Sequence, residues 1–356
     1  MENQQHTNMM LRALQLAEQG RYTVSPNPMV GCVIVQNGQI VGEGYHHHAG
    51  GPHAEIIALE QAGVKAEQAT VYLTLEPCTH YGKTPPCVDA LIRARVKTVV
   101  IACLDDNPLV HNKGVQALRA AGMQVQIGLC QQESIALNKI YSHYIRHRRP
   151  YVICKWAMSL DGKTVTHVED ARQITSSEAQ NKVHQLRRSV DAILVGANTV
   201  RVDDAALTAR CVSSNTLYPQ QPIRIILTTT GLLSAQAKIM NQSDTGKVMI
   251  VTACKLPSLT IMQQNVEVIE IEKCRKGWVK LDSLLEELGR REITSLLVEG
   301  GMQVHHQFIQ QNLVNQYQVY VANNIIGTLP YKKTLDHVTC SSVGTDLLFI
   351  SETTGV

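Results

Sequence analysis

Three potential metal ligands and one carboxylate lie between His53 and Cys87, and their spacing constrains this chain more than any other feature. Glu55 follows His53 by two residues, and Cys78 and Cys87 each follow a proline. One imidazole and two thiolates are ligands that zinc prefers, and three protein ligands leave a fourth tetrahedral position for water. A structural zinc site normally has four protein ligands, so the set indicates a catalytic zinc rather than a structural knot or three unrelated residues.

The pair His53 and Glu55 indicates the chemistry that such a zinc would support. Zinc lowers the pKa of a bound water from about 15.7 to about 7, which is worth roughly 12 kcal/mol toward hydroxide at neutral pH. Because Glu55 lies two residues from His53, its side chain points differently and is available as a general acid and base. Zinc deaminases of nucleobases also combine a His, two Cys and a non-ligand Glu. In those enzymes two residues separate the cysteines, whereas eight residues separate Cys78 from Cys87.

Motifs on both sides of this stretch are similar to those of one known family. They are Asn27-Pro28-Met29-Val30-Gly31-Cys32-Val33-Ile34-Val35, Gly42-Glu43-Gly44-Tyr45-His46, Pro52-His53-Ala54-Glu55, Thr74-Leu75-Glu76-Pro77-Cys78 and Gly82-Lys83-Thr84-Pro85-Pro86-Cys87. They resemble the deaminase half of the RibD family of bifunctional riboflavin-biosynthesis enzymes, and the similarity covers almost the whole chain. The resemblance implies a cytidine-deaminase-like three-layer α/β/α domain followed by a dihydrofolate-reductase-like α/β domain.

The length of the chain agrees with two domains. Its 356 residues are enough for each domain to bury a core of its own. A helical pattern over 131–147 ends in Arg-His-Arg-Arg-Pro at 146–150, and a basic last turn followed by proline is typical of a helix end. We therefore expect domains at 1–149 and 150–356. A nucleic-acid patch is the alternative for the basic run, but a net charge of +3 and 4% aromatic residues do not favour it.

The sequence shows no N-terminal apolar run with a cleavage site and no run of about 20 apolar residues. We therefore expect a cytoplasmic protein. Among ten cysteines, Cys32, Cys103 and Cys154 lie in apolar strand-like runs, and we interpret them as buried thiols of a reducing compartment. We expect a small-molecule substrate, no nucleic-acid or membrane partner, and a homo-oligomer.

Hydrophobic periodicity predicts alternating helices and strands in the first domain. His53 and Glu55 fall in the first turn of one helix, and Cys87 stands at the start of another, where a thiol is more acidic. An Asn-Gly dipeptide at 37–38 predicts a tight hairpin turn. The predicted helices are 9–19, about ten residues from 53, 88–95, 115–121 and 131–147, and the predicted strands are 29–35, 39–41, 70–75, 97–104 and 123–129.

Four more residues become candidates for the deaminase substrate site through the resemblance. Asn27, between two prolines, is otherwise a turn former. Three consecutive histidines cannot all face one ion, so we expect the residues at 47–48 to be solvated, and the resemblance alone implies that His46 contacts substrate. His80 and Lys83 lie in the loop between the two cysteines, where they are either exposed polar residues or contacts to substrate, Lys83 to its ribose phosphate.

The second half also resembles the same family, beginning with an apolar strand from Tyr151 that leads into an Asp-Gly turn. Ser176 and its neighbours are expected to cap a helix. Alternating patterns indicate a mostly parallel sheet, and no G-x-G-x-x-G fingerprint supports an ordinary Rossmann site. The further predicted strands are 191–196, 223–228, 247–252, 266–271, 295–298 and 316–321, and the predicted helices include 281–290 and 302–311.

The segment Val298-Glu299-Gly300-Gly301 leads from a strand into a helix, whose first backbone amides can cradle a phosphate. Taken alone, paired glycines are more often a tight turn. The resemblance implies an NADPH site formed by Ala157, Gln173, Thr199, Asp203, Gly301, Met302, Gln303, Val304, His305, His306 and Gln307. It implies that the reductase substrate contacts Lys155, Ala171, Arg187, Leu207, Arg210 and Glu299.

Arg187 and Arg210 suit a ribose phosphate, because a guanidinium forms forked hydrogen bonds with it; surface salt bridges are the alternative. Asp203 is either a member of a proton network or, with Asp204, a turn and helix-cap residue. Two segments near the cofactor positions depart from the family pattern: residues 167–173 read His-Val-Glu-Asp-Ala-Arg-Gln, and Ala205 replaces a proline.

We therefore expect a bifunctional enzyme of riboflavin biosynthesis that uses zinc and NADPH. It first deaminates 2,5-diamino-6-(5-phosphoribosylamino)pyrimidin-4-one by hydrolysis. It then reduces the ribosyl group of 5-amino-6-(5-phosphoribosylamino)uracil to ribityl, a step that only the resemblance implies. The alternatives are a zinc deaminase of nucleosides or RNA bases with an inactive second domain, and a noncatalytic zinc-dependent binding module.

Overall fold

A computed structural model describes residues 2–80, 85–159, 162–164, 175–230, 233–234, 236–241, 246–254, 265–322 and 338–352. The chain divides into two compact units, 1–148 and 149–356, and each contains one sheet. Within the described ranges, no helix combines the length and apolar character needed to cross a bilayer.

The sheet of the first unit has five strands in the order β2-β1-β3-β4-β5. The strands are β1 (Gly31–Gln36), β2 (Gln39–Tyr45), β3 (Thr70–Leu75), β4 (Thr98–Cys103) and β5 (Gln124–Ile127). β1 is antiparallel to β2 and β3, as the predicted hairpin requires, whereas β3, β4 and β5 are parallel. The carboxyl ends of β3 and β4 therefore lie at the same edge of the sheet.

Helices cover both faces of this sheet. They are α1 (Glu2–Glu18), α2 (Ala54–Ala62), α3 (Cys87–Arg93), α4 (Lys113–Ala120), α5 (Gln131–Leu137) and α6 (Lys139–His147), with a 3₁₀ turn at Gly63–Ala66. Alternate strand residues point to opposite layers. Val33 and Val100 pack with α1 residues on one face, and Ile34 and Leu73 pack with α2 and α3 residues on the other. The predicted three-layer α/β/α architecture is confirmed.

The prediction of one continuous helix over 131–147 is wrong, because the helix breaks at Asn138. Asn138 is 4% exposed, and its amide pairs with the backbone of Met29, accepting from the N–H at 2.8 Å and donating to the C=O at 2.9 Å. These bonds fix Asn138 outside helical geometry, with φ −103°. Hydrophobic periodicity cannot reveal such a distant partner. The first helix also begins earlier than predicted, at Glu2.

The second unit contains a nine-stranded sheet in the order β10-β9-β8-β7-β11-β6-β12-β14-β13. Its strands are β6 (Tyr151–Ser159), β7 (Ala192–Gly196), β8 (Ile223–Thr228), β9 (Val248–Thr252), β10 (Val266–Glu270), β11 (Ser295–Gly300), β12 (Gln316–Ala322), β13 (Val338–Val343) and β14 (Asp346–Glu352). All neighbours are parallel except at β14, which is antiparallel to β12 and β13. The mostly parallel sheet is as predicted; the β13–β14 hairpin was not predicted.

The described helices of the second unit are α7 (Ser177–Arg188), α8 (Ala197–Asp203), α9 (Lys238–Asn241), α10 (Leu281–Arg290) and α11 (Met302–Gln310). Ser176 caps α7 as predicted, since its hydroxyl accepts the Ala179 N–H at 3.3 Å. α10 buries Leu281, Leu284 and Leu288 against the sheet. α8 follows β7 without a loop and was not predicted.

Candidate active sites

The three predicted zinc ligands converge at one edge of the first unit. His53 is the N-cap residue of α2, Cys87 is the first residue of α3, and Cys78 lies in the segment after β3. His53 Nδ1 is 3.1 Å from Cys87 Sγ and 3.6 Å from Cys78 Sγ. All three donor atoms lie within 4.8 Å of one another.

The three donor atoms lie close enough together to bind one zinc ion. Tetrahedral zinc with the usual Zn–N and Zn–S bonds separates nitrogen from sulfur by about 3.6 Å and sulfur from sulfur by about 3.8 Å. Hydrogen bonds from Cys87 and His53 lower the pKa of Cys78 to about 4, while the neighbouring Cys78 raises the pKa of Cys87. A lowered pKa favours the thiolate form of Cys78, which is the form that binds zinc.

Glycines in β2 allow α2 to lie close enough to place His53. A Cβ on Gly42 would come within 2.2 Å of the Ala58 carbonyl oxygen, and one on Gly44 within 2.4 Å of the Ala54 oxygen. No side chain fits at either position without moving the helix. This close packing holds the first turn of α2 over the end of the sheet.

Glu76 positions the segment that carries Cys78, a role that the sequence analysis did not assign. Its buried carboxylate accepts backbone N–H groups of Asp105 at 3.3 Å, Asn112 at 2.9 Å and Val115 at 3.2 Å. These bonds tie the end of β3 to the segment after β4 and to α4. The position of Glu76 in the Thr-Leu-Glu-Pro-Cys motif was the sequence signal that could have identified this role.

Glu55 lies in the first turn of α2, beside the metal ligands. It is 3% exposed, and among the described residues its Oε2 has no hydrogen-bond partner. Burial raises its pKa. A buried carboxylate with one uncommitted oxygen next to a metal site is suited to accept and return a proton.

Asn27 and His46 form a second polar pair beside the metal ligands. His46 is 3% exposed, and its ring lies edge-on to that of His53 at 5.3 Å. Its Nδ1 lies 3.0 Å from the Pro52 carbonyl oxygen, which can only accept, so Nδ1 carries the proton and Nε2 accepts from Asn27 Nδ2 at 2.9 Å. The Asn27 oxygen is thereby left facing away from His46.

The remaining deaminase candidates are less defined. The histidines at 47 and 48 are exposed, as expected. His80 is exposed in the loop after Cys78, and Lys83 lies outside the described residues.

The second unit contains a cleft of about 1180 Å³ along the carboxyl edge of its sheet. Most predicted cofactor residues line it: Ala157, Thr199, Asp203, Gly301, Met302, Gln303, Val304, His305 and Gln307. His306, on α11, is exposed and is not among the lining residues. Gln173 and Ala171 lie outside the described residues.

The turn between β11 and α11 is shaped to accept phosphate. A Cβ on Gly300 would lie 2.9 Å from Thr199 Cγ2, so α8 is packed directly on this glycine. Gly301 has φ +82°, which favours glycine, and it precedes a helix of nine residues. The first N–H groups of a helix have no intrahelical acceptor and attract anions.

Glu299 is the centre of a buried charge cluster at one end of the cleft. Arg187 donates Nε to Oε1 at 2.7 Å and a terminal nitrogen to Oε2 at 2.9 Å, and Lys155 Nζ lies 3.6 Å from Oε2. Burial alone would raise the pKa of Glu299, but Arg187 and Lys155 outweigh it and lower the pKa to about 2. The pair is buried, unlike the surface salt bridge considered as the alternative.

The other predicted substrate residues lie near this cluster. Arg187 also donates to the Thr208 carbonyl at 3.2 Å, and Arg210 Nε donates to the Thr208 hydroxyl at 3.1 Å. Leu207 is 4% exposed with φ +55°. Asp203 ends α8, and Asp204 follows as its left-handed C-cap residue.

The cleft also contains residues that the sequence analysis did not single out. They include Trp156, Arg201, the threonines at 228–230 and Trp278. His305 is 4% exposed, and within the described structure its Nδ1 has no hydrogen-bond partner. Burial lowers the pKa of His305 to about 4, so the imidazole is neutral at neutral pH.

Comparisons with known proteins agree with both sites. Residues 3–103 match the model of the cytidine and deoxycytidylate deaminase zinc-binding region, and residues 150–347 match that of the RibD C-terminal domain. The fold and sites thus define a two-domain enzyme with a zinc-dependent deaminase and an NADPH-dependent reductase. The chain belongs to the RibD family of bifunctional riboflavin-biosynthesis enzymes, as predicted.

Sequence relatives and solved structures support this membership. The chain is 43% identical to riboflavin biosynthesis protein RibD of Aquifex aeolicus, over 90% of this chain and 87% of that protein. It is 41% identical to RibD of Escherichia coli, over 90% and 88%. RibD of Acinetobacter baumannii superposes with a TM-score of 0.85 at 36% identity, covering 99% of this chain and 100% of that one. A deaminase/reductase from Thermotoga maritima gives 0.85 at 33% identity, covering 99% of each chain.

Proposed function

We propose that residues 1–149 hydrolyse the amino group of 2,5-diamino-6-(5-phosphoribosylamino)pyrimidin-4-one and release ammonia. We also propose that residues 150–356 reduce the ribosyl group of 5-amino-6-(5-phosphoribosylamino)uracil to ribityl with NADPH. The Thermotoga maritima relative is described as a diaminohydroxyphosphoribosylaminopyrimidine deaminase and a 5-amino-6-(5-phosphoribosylamino)uracil reductase. The observation that carries the proposal is the convergence of His53, Cys78 and Cys87 beside a buried Glu55.

In the deaminase site, bound zinc supplies an acidified water as the nucleophile. Glu55 accepts a proton from that water through its uncommitted Oε2 and returns it to the departing nitrogen, so water and substrate give the oxo product and ammonia. Asn27 orients the substrate. Its amide N–H is donated to His46, which leaves the Asn27 oxygen to accept a pyrimidine N–H. Lys83 and His80 are our proposed contacts to the rest of the substrate.

In the reductase site, bound NADPH supplies the hydride. The turn at Gly301 and the start of α11 would hold its pyrophosphate, and Glu299 and Lys155, which also line the cleft, would face the substrate. Lys155 is buried, which lowers its pKa, and its Nζ is suited to deliver the proton that accompanies the hydride. Arg187 is committed to Glu299, so Arg210 is the better placed of the two for the substrate phosphate.

A coupled assay tests both activities on one preparation by following ammonia release and NADPH oxidation. Glu55→Gln should retain stoichiometric zinc and lose deamination at least a hundredfold, because the proton carrier is removed while the ligands remain. Cys87→Ala should lose both zinc and deamination. Undiminished ammonia release by Glu55→Gln would refute the role of Glu55, and release from cytidine alone would favour a nucleoside deaminase.

We also propose a cytoplasmic location and a homo-oligomer. All ten cysteines lie among the described residues and none of them forms a disulfide, which supports a reducing compartment. The oligomeric state stays a prediction that light scattering of the purified full chain would test.

A further inference from the structure

A hairpin over residues 272–280 borders the reductase cleft through Trp278 and Val279. Lys280 donates its N–H to the Glu272 carbonyl at 2.9 Å, and Cys274 donates to the Trp278 carbonyl at 2.7 Å. The Gly277 N–H closes the turn onto the Cys274 carbonyl at 2.9 Å. The backbone of this segment is therefore fixed on both sides of its turn.

This hairpin presents one aromatic ring to the cleft. Trp278 lines the cleft and is partly exposed, while the next residue, Val279, is 2% exposed and packs in the core below. Lys276, in the turn, is exposed and holds its Nζ 5.5 Å from the centroid of the Trp278 ring. Val279 is buried, whereas the ring of Trp278 is partly exposed to the cleft. Trp278 is therefore suited to stack on a ligand rather than to fill the core.

The order of the strands gives the direction in which a dinucleotide lies. The cleft runs along the carboxyl ends of β6, β11, β7 and β8, which are successive neighbours in the sheet. Three steps of strand spacing separate β6 from β8 by about 14 Å. In the proposed reductase, the reacting end lies at Lys155 and Glu299 on β6 and β11, and the helix start after Gly301 would take the pyrophosphate. The adenosine half therefore lies beyond β7, toward the threonines after β8 and Trp278.

We propose that Trp278 stacks on the adenine of NADPH and that Lys276 pairs with the 2′-phosphate of the same adenosine. Every base has a π-face that an indole can cover, and an ammonium beside the ring suits a phosphate on the carbon next to the one that bears the adenine. The assignment rests on the proposed reductase function. Arg201, which also lines the cleft, is the rival cation for the 2′-phosphate.

The chain has two tryptophans, and both line the cleft, so intrinsic fluorescence can report on each end. Trp156→Phe leaves Trp278 as the reporter, and Trp278→Phe leaves Trp156. Adenosine 2′,5′-bisphosphate, which carries only the adenosine half, should quench the Trp156→Phe protein saturably and leave the Trp278→Phe protein unchanged. Quenching of Trp156 alone, or of neither ring, would overturn the proposal.

Steady-state kinetics provide the second arm. Trp278→Ala should raise KM for NADPH about tenfold, equivalent to about 1.4 kcal/mol, with kcat within twofold, and Trp278→Phe should restore most of the loss. Lys276→Gln should raise KM for NADPH several-fold without changing KM for NADH, and the matched control Arg275→Gln should change neither. Loss of the NADPH preference in Arg201→Gln instead would refute the role of Lys276.

Failure of the proposed function can be told apart from failure of this assignment. If the wild-type protein does not oxidise NADPH with the phosphoribosylaminouracil, the reductase function is wrong. The fluorescence titration needs no turnover and still shows whether the adenosine half binds at Trp278.

Discussion

Glu299 shows how a single buried carboxylate links stability to pH. Its side chain is 4% exposed, and two cations lower its pKa to about 2 from the ordinary value of 4.5. A lowered pKa means that the stabilisation is present above pH 4.5 and is lost as the pH falls toward 2.

We predict that Glu299→Gln flattens the acid limb of the stability profile. Between pH 4.5 and about 2, the wild-type protein should lose roughly 3 kcal/mol more of its unfolding free energy than the variant does, because only the wild type must protonate this carboxylate. Urea unfolding of both proteins across that pH range measures the difference. Parallel profiles would show that Glu299 is not ionised in a buried pair.

Removing Arg187 alone should destabilise the protein more than removing Arg187 and the charge of Glu299 together. Arg187→Met leaves a buried carboxylate with Lys155 as its nearest cation, and breaking a buried pair in this way costs about 3–5 kcal/mol. We predict a lower melting temperature for Arg187→Met than for the double variant Arg187→Met/Glu299→Gln. Calorimetry of the two proteins measures both melting temperatures, and equal values would contradict the coupling between Arg187 and Glu299.

Sequence reasoning reached the residues whose chemistry is local. His53, Glu55, Cys78 and Cys87 were found because three ligands with an open position and a carboxylate two residues from one of them are characteristic of a catalytic zinc. Trp278 was not found, since its place in the cleft depends on how the hairpin over 272–280 packs in the folded unit. Glu76 was passed over because its hydrogen bonds go to backbone groups far along the chain.

At the level of elements, most strands and helices followed from hydrophobic periodicity, and the exceptions have identifiable causes. The strands at Thr70–Leu75 and Ile223–Thr228 were predicted with their observed bounds. α8 was missed because it continues directly from β7 with no cap or loop signal. The helix over 131–147 was predicted as one because a buried asparagine looks like an ordinary polar position.

Asn138 gives a prediction in which sequence and structure disagree. By periodicity, Asn138→Leu should strengthen a continuous helix. The structure predicts a loss of about 2–3 kcal/mol, because the partly buried N–H and C=O of Met29 would lose their partners. Deamination should also weaken, since Met29 follows the segment that carries Asn27. Unfolding curves and ammonia release of the variant test this, and a gain in stability would refute it.

Gly300 tests the packing of α8 against the β11–α11 turn. A Cβ there would lie 2.9 and 3.0 Å from two side-chain atoms of Thr199, so Gly300→Ala must displace the Thr199 side chain or α8 itself. We predict a loss of about 1–3 kcal/mol and a raised KM for NADPH, with deamination unchanged. Thr199→Ala in the Gly300→Ala background should recover part of the stability. No recovery would mean that the clash is not with Thr199.

At the scale of the whole molecule, each candidate site takes its described residues from one unit only. The zinc ligands lie between residues 53 and 87, and the residues that line the cofactor cleft lie between 155 and 307. Each unit also has its own sheet and core. Two chemistries that need different cofactors are therefore supported by two separately packed structures.

This separation predicts that loss of zinc affects one activity only. Dialysis against a chelator should abolish ammonia release, because Glu55 then has no activated water to deprotonate, while NADPH oxidation with the already deaminated uracil substrate should stay within twofold of the untreated rate. Added zinc should restore deamination, and protein kept with zinc throughout is the control. If chelation stopped both reactions, the cleft of the second unit would depend on the metal site, and the assignment of each chemistry to one unit would be wrong.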